Sequence, residues 1–222
     1  MSLSFPYEQR VRTNPGAGAA LSRGFTLIEM LVVLAIIIIV TAIALSGQSS
    51  FNRTLALTNA AYDIGLTIRQ AQSYGLSSRQ FSGAGGNAGY GLYFDNGTPT
   101  SYVLFADTYP GVPVNATPDQ KPGDGIYTKS SELVETYKLN NGLSISQFCV
   151  SASGLGTVCK NSGLSALSIT FTRPNTETHI LGKSAGWSAY TSACVSLSSA
   201  DGDTRSLSVT QTGQVATASS CP

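Results

Sequence analysis

A nearly uninterrupted apolar segment close to the start of the chain dominates its hydrophobic pattern. The segment runs 21 residues, from Phe25 to Leu45, and its only polar members are Thr26, Glu29 and Thr41. A helix rises about 1.5 Å per residue, so this one would cover roughly 30 Å, the thickness of a bilayer core. A charge inside such a helix costs about 2.5–3.5 kcal/mol to insert, so Glu29 needs a partner or a function. The segment therefore predicts a transmembrane helix over residues 25–45.

A second helical pattern follows a polar break at residues 46–50. Apolar positions recur there at helical spacing: Leu57, Ala60, Ala61, Ile64, Ile68 and Ala71. The other face is polar, with Arg53, Thr58, Asn59, Asp63, Arg69 and Gln70. The pattern predicts an amphipathic helix with one apolar stripe, which ends near Gly75 because glycine favours a C-terminal stop. Continuous from Phe25, the helix would be on the order of 75 Å long.

Short apolar segments separated by turn residues make up the rest of the chain and predict β-strands. The predicted strands are residues 90–94, 101–106, 133–139, 143–150, 166–172, 178–181, 194–197, 206–210 and 214–217. Asn96-Gly97 predicts a hairpin between the first two strands, and Asn141-Gly142 predicts another between the next two. A long helix followed by many strands predicts an α+β fold, with the helix packed on an antiparallel sheet.

These patterns divide the chain into four segments. They are a polar leader (1–24), a transmembrane helix (25–45), an amphipathic spine helix (46–79) and a β-rich head (80–222). Arginines in the leader favour a cytoplasmic location for it. The leader holds three arginines and one glutamate, so its removal changes the formal net charge from +1 to −1. No basic excess then favours nucleic acid by bulk charge.

Four cysteines lie in the last third of the chain: Cys149, Cys159, Cys194 and Cys221. A head outside the cytoplasm would keep disulfides, and four cysteines allow three pairings. Proximity in the sequence favours Cys149–Cys159 and Cys194–Cys221. A zinc site is the alternative, but no C-x-x-C is present and His179 is the single histidine, so no metal is expected there.

Catalytic chemistry is not expected from this sequence. Nucleophilic catalysis needs a base beside the nucleophile, and His179 lies in a strand-like segment. We therefore expect neither an enzyme nor a cofactor. The loop of residues 107–125 carries Asp107, Asp119 and Asp124, whose oxygens suit calcium. The D-x-[DN]-x-[DN]-G spacing is absent, so an ordinary solvated loop is the alternative.

The residues around the start of the apolar segment carry a family resemblance. The sequence here resembles the prepilin signature of type IV pilins and type II secretion pseudopilins. The matching residues are Arg23-Gly24-Phe25-Thr26-Leu27-Ile28-Glu29, together with the apolar run that follows. The resemblance implies that a prepilin peptidase cuts after Gly24 and that the new N-terminal residue, Phe25, is N-methylated. It also implies that Glu29 meets the free amine of a neighbouring subunit during assembly. Such pairing relieves two charges that are each costly in lipid.

Parts of the head resemble a narrower group, the H-type minor pseudopilins (GspH) and FimT-like minor pilins. The matching segments are residues 90–94 with 102–107, residues 169–174, and residues 205–209 with 213–215. The resemblance implies the pilin fold. The final Gly-Gln-Val lacks the arginines that DNA-binding FimT-like minor pilins carry there, and closure through Cys221 is not a general feature of the group.

The leading hypothesis is a structural minor pilin or pseudopilin. Its implied partners are other pilin subunits, the prepilin peptidase and methyltransferase, an inner-membrane assembly platform and membrane lipid. The chain would cross the inner membrane once, with its head outside the cytoplasm, and then enter a periplasmic pseudopilus or a cell-surface pilus.

Three alternatives remain at the level of sequence. The first is a DNA-binding minor pilin of a competence filament, using Arg173, Lys183 and Arg205 with Trp187 and Tyr190 as stacking platforms. Three scattered cations support it poorly, so DNA is not an expected partner. The others are a secretory signal peptide cut near Ala44-Leu45-Ser46 and an anchored surface domain with an incidental glutamate.

Overall fold

The structure is a computed structural model, and in the part of the chain that it describes two α-helices precede the β-strands. It describes residues 24–46, 48–77, 79–81, 88–108, 123–128, 130–154, 156–173, 177–218 and 220–221. The chain divides into two compact units, residues 1–46 and residues 47–222. Helix α1 (Leu27–Ser46) belongs to the first unit. Helix α2 (Gln48–Leu76) and all the strands belong to the second. The predicted single continuous helix would pass through Gly47, which lies outside the described residues.

The strands form two antiparallel sheets, so the predicted α+β class is confirmed. The first sheet has the order β3-β2-β1-β6-β7-β8 and the second has the order β11-β10-β9-β4-β5. The strands of the first are β1 (Gly89–Asp95), β2 (Ser101–Asp107), β3 (Leu133–Lys138), β6 (Ala166–Phe171), β7 (Thr178–Lys183) and β8 (Trp187–Tyr190). Those of the second are β4 (Ser144–Ala152), β5 (Gly156–Cys159), β9 (Ser192–Ser198), β10 (Thr204–Thr210) and β11 (Val215–Ala218).

Helix α2 packs against both sheets and closes the core of the head. Its contacts fall on β1 and β6 of the first sheet and on β9, β10 and β11 of the second. The predicted apolar stripe is the buried face: Leu57, Ile64, Ile68 and Ala71 are 0–1% exposed. Burial of each of the three leucine and isoleucine side chains contributes about 1.5–3 kcal/mol, which makes α2 part of the folded head.

Gly75 has a different role from the helix stop that its position predicts. The residue is still helical, because α2 ends at Leu76, and it is buried. A Cβ added to Gly75 would overlap the carbonyl oxygen of Phe171 and lie 2.8 Å from the carbonyl carbon. Phe171 is paired on both sides, with Tyr90 of β1 and Thr178 of β7. The glycine therefore allows α2 to approach the middle of the first sheet.

The predicted hairpin of β3 with β4 is wrong, because the two strands belong to different sheets. β3 pairs with β2, and β4 pairs with β5 and β9. Asn141 does make the expected tight turn, with φ of 59°, but the turn carries the chain from one sheet to the other. The burial patterns explain the outcome. β3 is mostly exposed and suits a sheet edge, whereas β4 buries Phe148, Cys149 and Val150 in succession and suits a central position.

The other hairpin prediction is confirmed, because the Asn96-Gly97 turn joins β1 to β2. A further turn, at Thr212-Gly213, joins β10 to β11. The sequence pattern missed β5 and β8, which have four residues each and give too short an alternation to recognise.

Two disulfides lie in the second sheet. One joins Cys149 of β4 to Cys159 of β5, and the other joins Cys194 of β9 to Cys221 near the end of the chain. These are the pairs that sequence proximity favours. The second bridge ties the segment after β11 to the middle of the sheet.

Candidate functional site: the apolar helix and the open face of the head

Helix α1 presents an apolar surface in every direction. All side chains from Phe25 to Leu45 are exposed in the single chain. Residues 27–45 are long and apolar enough to cross a membrane. The hydroxyl of Thr41 donates within the helix, to the carbonyl oxygens of Ile37 (2.7 Å) and Ile38 (3.0 Å). Thr41 therefore adds no unsatisfied polar group to this surface.

Thr26 and Glu29 mark the beginning of α1 through the T-x-x-E pattern of a helix cap. The backbone N–H of Glu29 donates to the hydroxyl of Thr26 at 3.2 Å, as expected for a residue that precedes a helix. A carboxylate in the first turn also meets the positive end of the helix dipole. Glu29 is exposed, so its carboxylate is free to meet a charge outside the chain.

The Gly24–Phe25 peptide bond is the predicted processing site. Phe25 is 76% exposed. A Cβ placed on Gly24 would find no atom within 4 Å. Access to this bond is therefore open among the residues that the structure describes, whereas residues 1–23 of the leader lie outside them.

Helix α2 has a second apolar stripe that the sequence analysis missed. Phe51, Leu55, Tyr62 and Leu66 are 45–67% exposed. Their spacing of i, i+4, i+11 and i+15 places them on one face, roughly opposite the buried stripe. The prediction of a single stripe is wrong. Their periodicity was the available signal, and the polar residues between them obscured it.

Part of this stripe lines a groove of about 760 Å³ between α2 and the β10–β11 hairpin. Tyr62 and Leu66 form its helical side, and Leu207 and Val215 lie on the strand side. Arg69 and Arg205 also line it. Large exposed apolar surfaces of this kind commonly mark interaction sites.

Two of the calcium candidates lie together at the end of β2. The carboxylate of Asp107 accepts the backbone N–H groups of Asp124 (3.1 Å) and Gly125 (2.8 Å). Burial raises the pKa of Asp107 to about 8, while these two hydrogen bonds oppose the rise. The carboxyl group therefore holds Asp124 and Gly125 at the end of β2. Asp119 lies outside the described residues.

The described residues contain no group of three or more His, Cys, Asp or Glu side chains arranged to hold a metal ion. The pKa of Asp124 is also raised, mainly by burial, with a contribution from the charge of Glu132. Asp107, Asp124 and Glu132 are all acidic. The contact of Asp107 with the loop is explained by its two hydrogen bonds to backbone N–H groups.

The three cations considered for DNA do not form one patch. Lys183 pairs with Trp187 at one end of β6 and β7, whereas Arg173 follows the other end of β6. Arg205 lies in β10 of the second sheet. The Lys183 ammonium lies 5.9 Å from the centroid of the Trp187 ring.

The aromatic and histidine candidates also occupy separate positions. Trp187 is half-buried, and its ring lies 6.5 Å from that of Tyr93. Tyr190 is half-buried and packs against the core. His179 is an exposed residue of β7, in agreement with the interpretation that it is an ordinary strand residue.

Comparison with known proteins gives one match. Residues 20–45 match the family model described as the prokaryotic N-terminal methylation motif. Neither the curated proteins nor the solved structures include a match to this chain. The matched range contains Gly24, Phe25 and Glu29 and ends within α1.

The match and the fold together define the class at a coarse level. An N-terminal methylation motif on an apolar helix, followed by a second helix and antiparallel sheets, is a type IV pilin-like layout. It supports processing as a prepilin, a single-pass membrane anchor and a structural role among other pilins. The narrower likeness to H-type pseudopilins and FimT-like pilins rests on the head, which the match does not cover.

Proposed function

We propose that this chain is a minor pilin or minor pseudopilin, a structural subunit of a type IV pilus or a type II secretion pseudopilus. The coincidence of the methylation motif with the exposed apolar helix carries this proposal. An apolar helix of this length needs lipid before assembly and the helices of other subunits afterwards. The H-type or FimT-like subtype, inferred from head segments, is part of the proposal.

In this proposal the prepilin peptidase cuts the Gly24–Phe25 bond and the methyltransferase modifies Phe25. The exposure of both residues supports such access. The carboxylate of Glu29 then pairs with the terminal amine of a neighbouring subunit. The cap by Thr26 supports this role, because it orders the first turn of α1 while the side chain of Glu29 stays exposed.

The four sequence segments take separate roles. Residues 1–24 form the leader, 25–45 the membrane and assembly helix, 46–79 the spine and 80–222 the head. Before assembly the chain crosses the inner membrane once, with its head outside the cytoplasm, where its disulfides persist. An assembly platform then transfers it into a periplasmic pseudopilus or a cell-surface pilus.

The direct test is mass spectrometry of the mature N-terminus from membranes of a host with its own prepilin peptidase. The expected product begins at N-methylated Phe25. In the same host, Glu29→Ala is expected to be processed but to be lost from sheared filaments, because the neighbouring amine has no partner in an apolar environment.

Thr41→Val is the matched control, since it also removes a polar group from α1, but one already satisfied inside the helix. It is expected to enter filaments like the wild type. A start at Met1, Ser2 or Gly47 would overturn the prepilin assignment. Normal incorporation of processed Glu29→Ala would instead overturn the role of the carboxylate alone.

The DNA-binding alternative has less support. Phosphate binding draws on several cationic contacts, and Arg173, Lys183 and Arg205 are distributed over different ends and sheets of the head. Binding of duplex DNA at low salt that is lost in the triple alanine variant of these residues would favour the alternative.

A further inference from the structure

Three of the four cysteines lie side by side in the second sheet, although they belong to two separate disulfides. β4 lies between β5 and β9 in the second sheet. Cys149 of β4 is directly opposite Cys159 of β5 on one side and directly opposite Cys194 of β9 on the other. Residues directly opposite each other across antiparallel strands point to the same face of a sheet. Cys159, Cys149 and Cys194 therefore form a row across three strands.

The spacing within this row permits a third pairing. The Cα atoms of Cys149 and Cys159 are 3.9 Å apart, as in the closer, non-hydrogen-bonded type of opposite pair. The backbone N–H and C=O of Cys149 then point towards β9, so its pair with Cys194 is the wider type, with Cα atoms about 5.5 Å apart. Most disulfides have Cα atoms about 4.4–6.8 Å apart, and the Cα spacing of this pair falls in that range. Its Cβ atoms start about 5.5 Å apart and must approach to about 4.5 Å for the bond to form, a shift of about 1 Å between two adjacent strands.

We propose that these cysteines form a thiol–disulfide exchange site. Reaction with a dithiol reductant would form a third disulfide, Cys149–Cys194. The proposal goes beyond filament assembly and does not depend on it. The structure shows one isomer, with Cys149–Cys159 and Cys194–Cys221. The second isomer contains Cys149–Cys194 and two thiols, on Cys159 and Cys221.

Accessibility determines where exchange begins. Cys149, Cys159 and Cys194 are 1–7% exposed, whereas Cys221 is only half-buried in the segment after β11. A thiolate from solvent therefore reaches the sulfur of Cys221 first. Attack there breaks the Cys194–Cys221 bond, forms a mixed disulfide with the reductant, and leaves Cys194 as a thiolate.

The Cys194 thiolate lies in the row beside the other disulfide. It attacks the sulfur of Cys149, forms Cys149–Cys194, and expels Cys159 as a thiolate that takes up a proton. The second thiol of the reductant attacks the mixed disulfide, which releases Cys221 as a thiol and oxidises the reductant. Overall the reductant loses two electrons and two protons, and the head exchanges two disulfides for one disulfide and two thiols.

The exchange changes which strands are covalently held. In the structure, the segment after β11 is tied to β9, and β5 is tied to β4. In the second isomer both ties are released, while β4 and β9 at the centre of the sheet are joined. β11 borders the groove beside α2, so its release would reach a surface suited to contacts between proteins.

The test uses the full chain in detergent with one equivalent of dithiothreitol. Acid quenching, alkylation and peptide mapping then identify each cysteine. The expected product has a Cys149–Cys194 peptide with alkyl groups on Cys159 and Cys221. A singly reduced product that keeps Cys149–Cys159 and carries alkyl groups on Cys194 and Cys221 would overturn the proposal.

Matched double variants test the geometry separately. Cys159→Ser with Cys221→Ser leaves Cys149 and Cys194, which are expected to oxidise fully to one disulfide. Cys149→Ser with Cys221→Ser leaves Cys159 and Cys194, which lie two strands apart, roughly 10 Å, and are expected to remain thiols. Free thiols in the first variant under the same oxidant would contradict the third bridge. If a double variant fails to fold, the disulfide mapping of the wild-type chain alone decides whether the Cys149–Cys194 bridge forms.

Discussion

Replacement of Gly75 by alanine is expected to destabilise the head by about 3 kcal/mol, at the upper end of the range for overpacking a core. The added methyl group would overlap the carbonyl oxygen of Phe171 and lie 3.0 Å from its Cβ. Phe171 lies opposite Tyr90 on one side and Thr178 on the other, so its backbone cannot move away without disturbing two strand pairs. Alanine improves helix propensity by about 1 kcal/mol, which does not offset this overlap.

Gly65→Ala is the matched control, because it lies in the same helix and gains the same propensity. Its added Cβ would meet only the tip of the Leu207 side chain, at 3.3 Å. That side chain can rotate, so we expect Gly65→Ala to lie within about 1 kcal/mol of the wild type. The free energies of unfolding come from denaturant titration of the full chain in detergent. Equal stability of the two variants would show that α2 does not approach the sheet as closely as described.

The effect of Asp107→Asn on the stability of the head is expected to change sign between pH 4 and pH 8. The variant is expected to be less stable than the wild type at pH 4 and more stable at pH 8. Burial raises the pKa of this carboxyl from its ordinary 3.8 to about 8 in the folded head. Well below pH 3.8 both the folded and the unfolded chain hold the proton, and the residue carries no penalty. As the pH rises towards 8, the unfolded chain releases the proton and the folded chain retains it, so stability falls.

The size of this effect follows from the width of that interval. A tenfold change in proton affinity corresponds to about 1.4 kcal/mol, so the loss reaches at most roughly 5 kcal/mol by pH 8. Asparagine avoids the loss because it does not titrate. Its NH₂ group cannot accept from a backbone N–H, so at pH 4 the variant is less stable by about 1 kcal/mol. At pH 8 it is expected to be more stable than the wild type.

Asp95→Asn is the control for exchanging a carboxyl for an amide outside a deeply buried site. Asp95 accepts the N–H of Gly97 at 3.0 Å and lies half-buried at a hairpin turn, and the amide oxygen of asparagine can still accept that N–H. Unfolding titrations of both variants at pH 4, 6 and 8 separate the two effects. A difference between Asp107→Asn and the wild type that does not change with pH would contradict the buried, protonated carboxyl.

Local patterns were sufficient where one stretch of residues determines its own structure. The spacing of Leu57, Ile64 and Ile68 predicted the buried face of α2, because the helical period places such residues on one side. The Asn96-Gly97 turn was predicted for a similar reason, since its chemistry is local. The roles of Gly24, Phe25 and Glu29 remain predictions that rest on the motif.

Local sequence patterns could not predict which distant strands pair with each other. β3 and β4 follow each other with a good turn between them, yet each has more favourable partners elsewhere in the fold. Gly75 looks like a helix stop in the sequence, and only the position of β6 shows that it is a close contact. The stripe from Phe51 to Leu66 has a helical period in the sequence, but only the packed head shows that it stays exposed.

The sequence by itself determined the apolar helix, the methylation motif, the second helix and the α+β class. Each of these depends on residue type at short spacing, where backbone geometry and solvation act locally. Only the tertiary structure decided the two-sheet arrangement, the row of Cys159, Cys149 and Cys194, and the burial of Asp107. These depend on which distant strands pair, and that choice is made by the total burial and hydrogen bonding of the whole head.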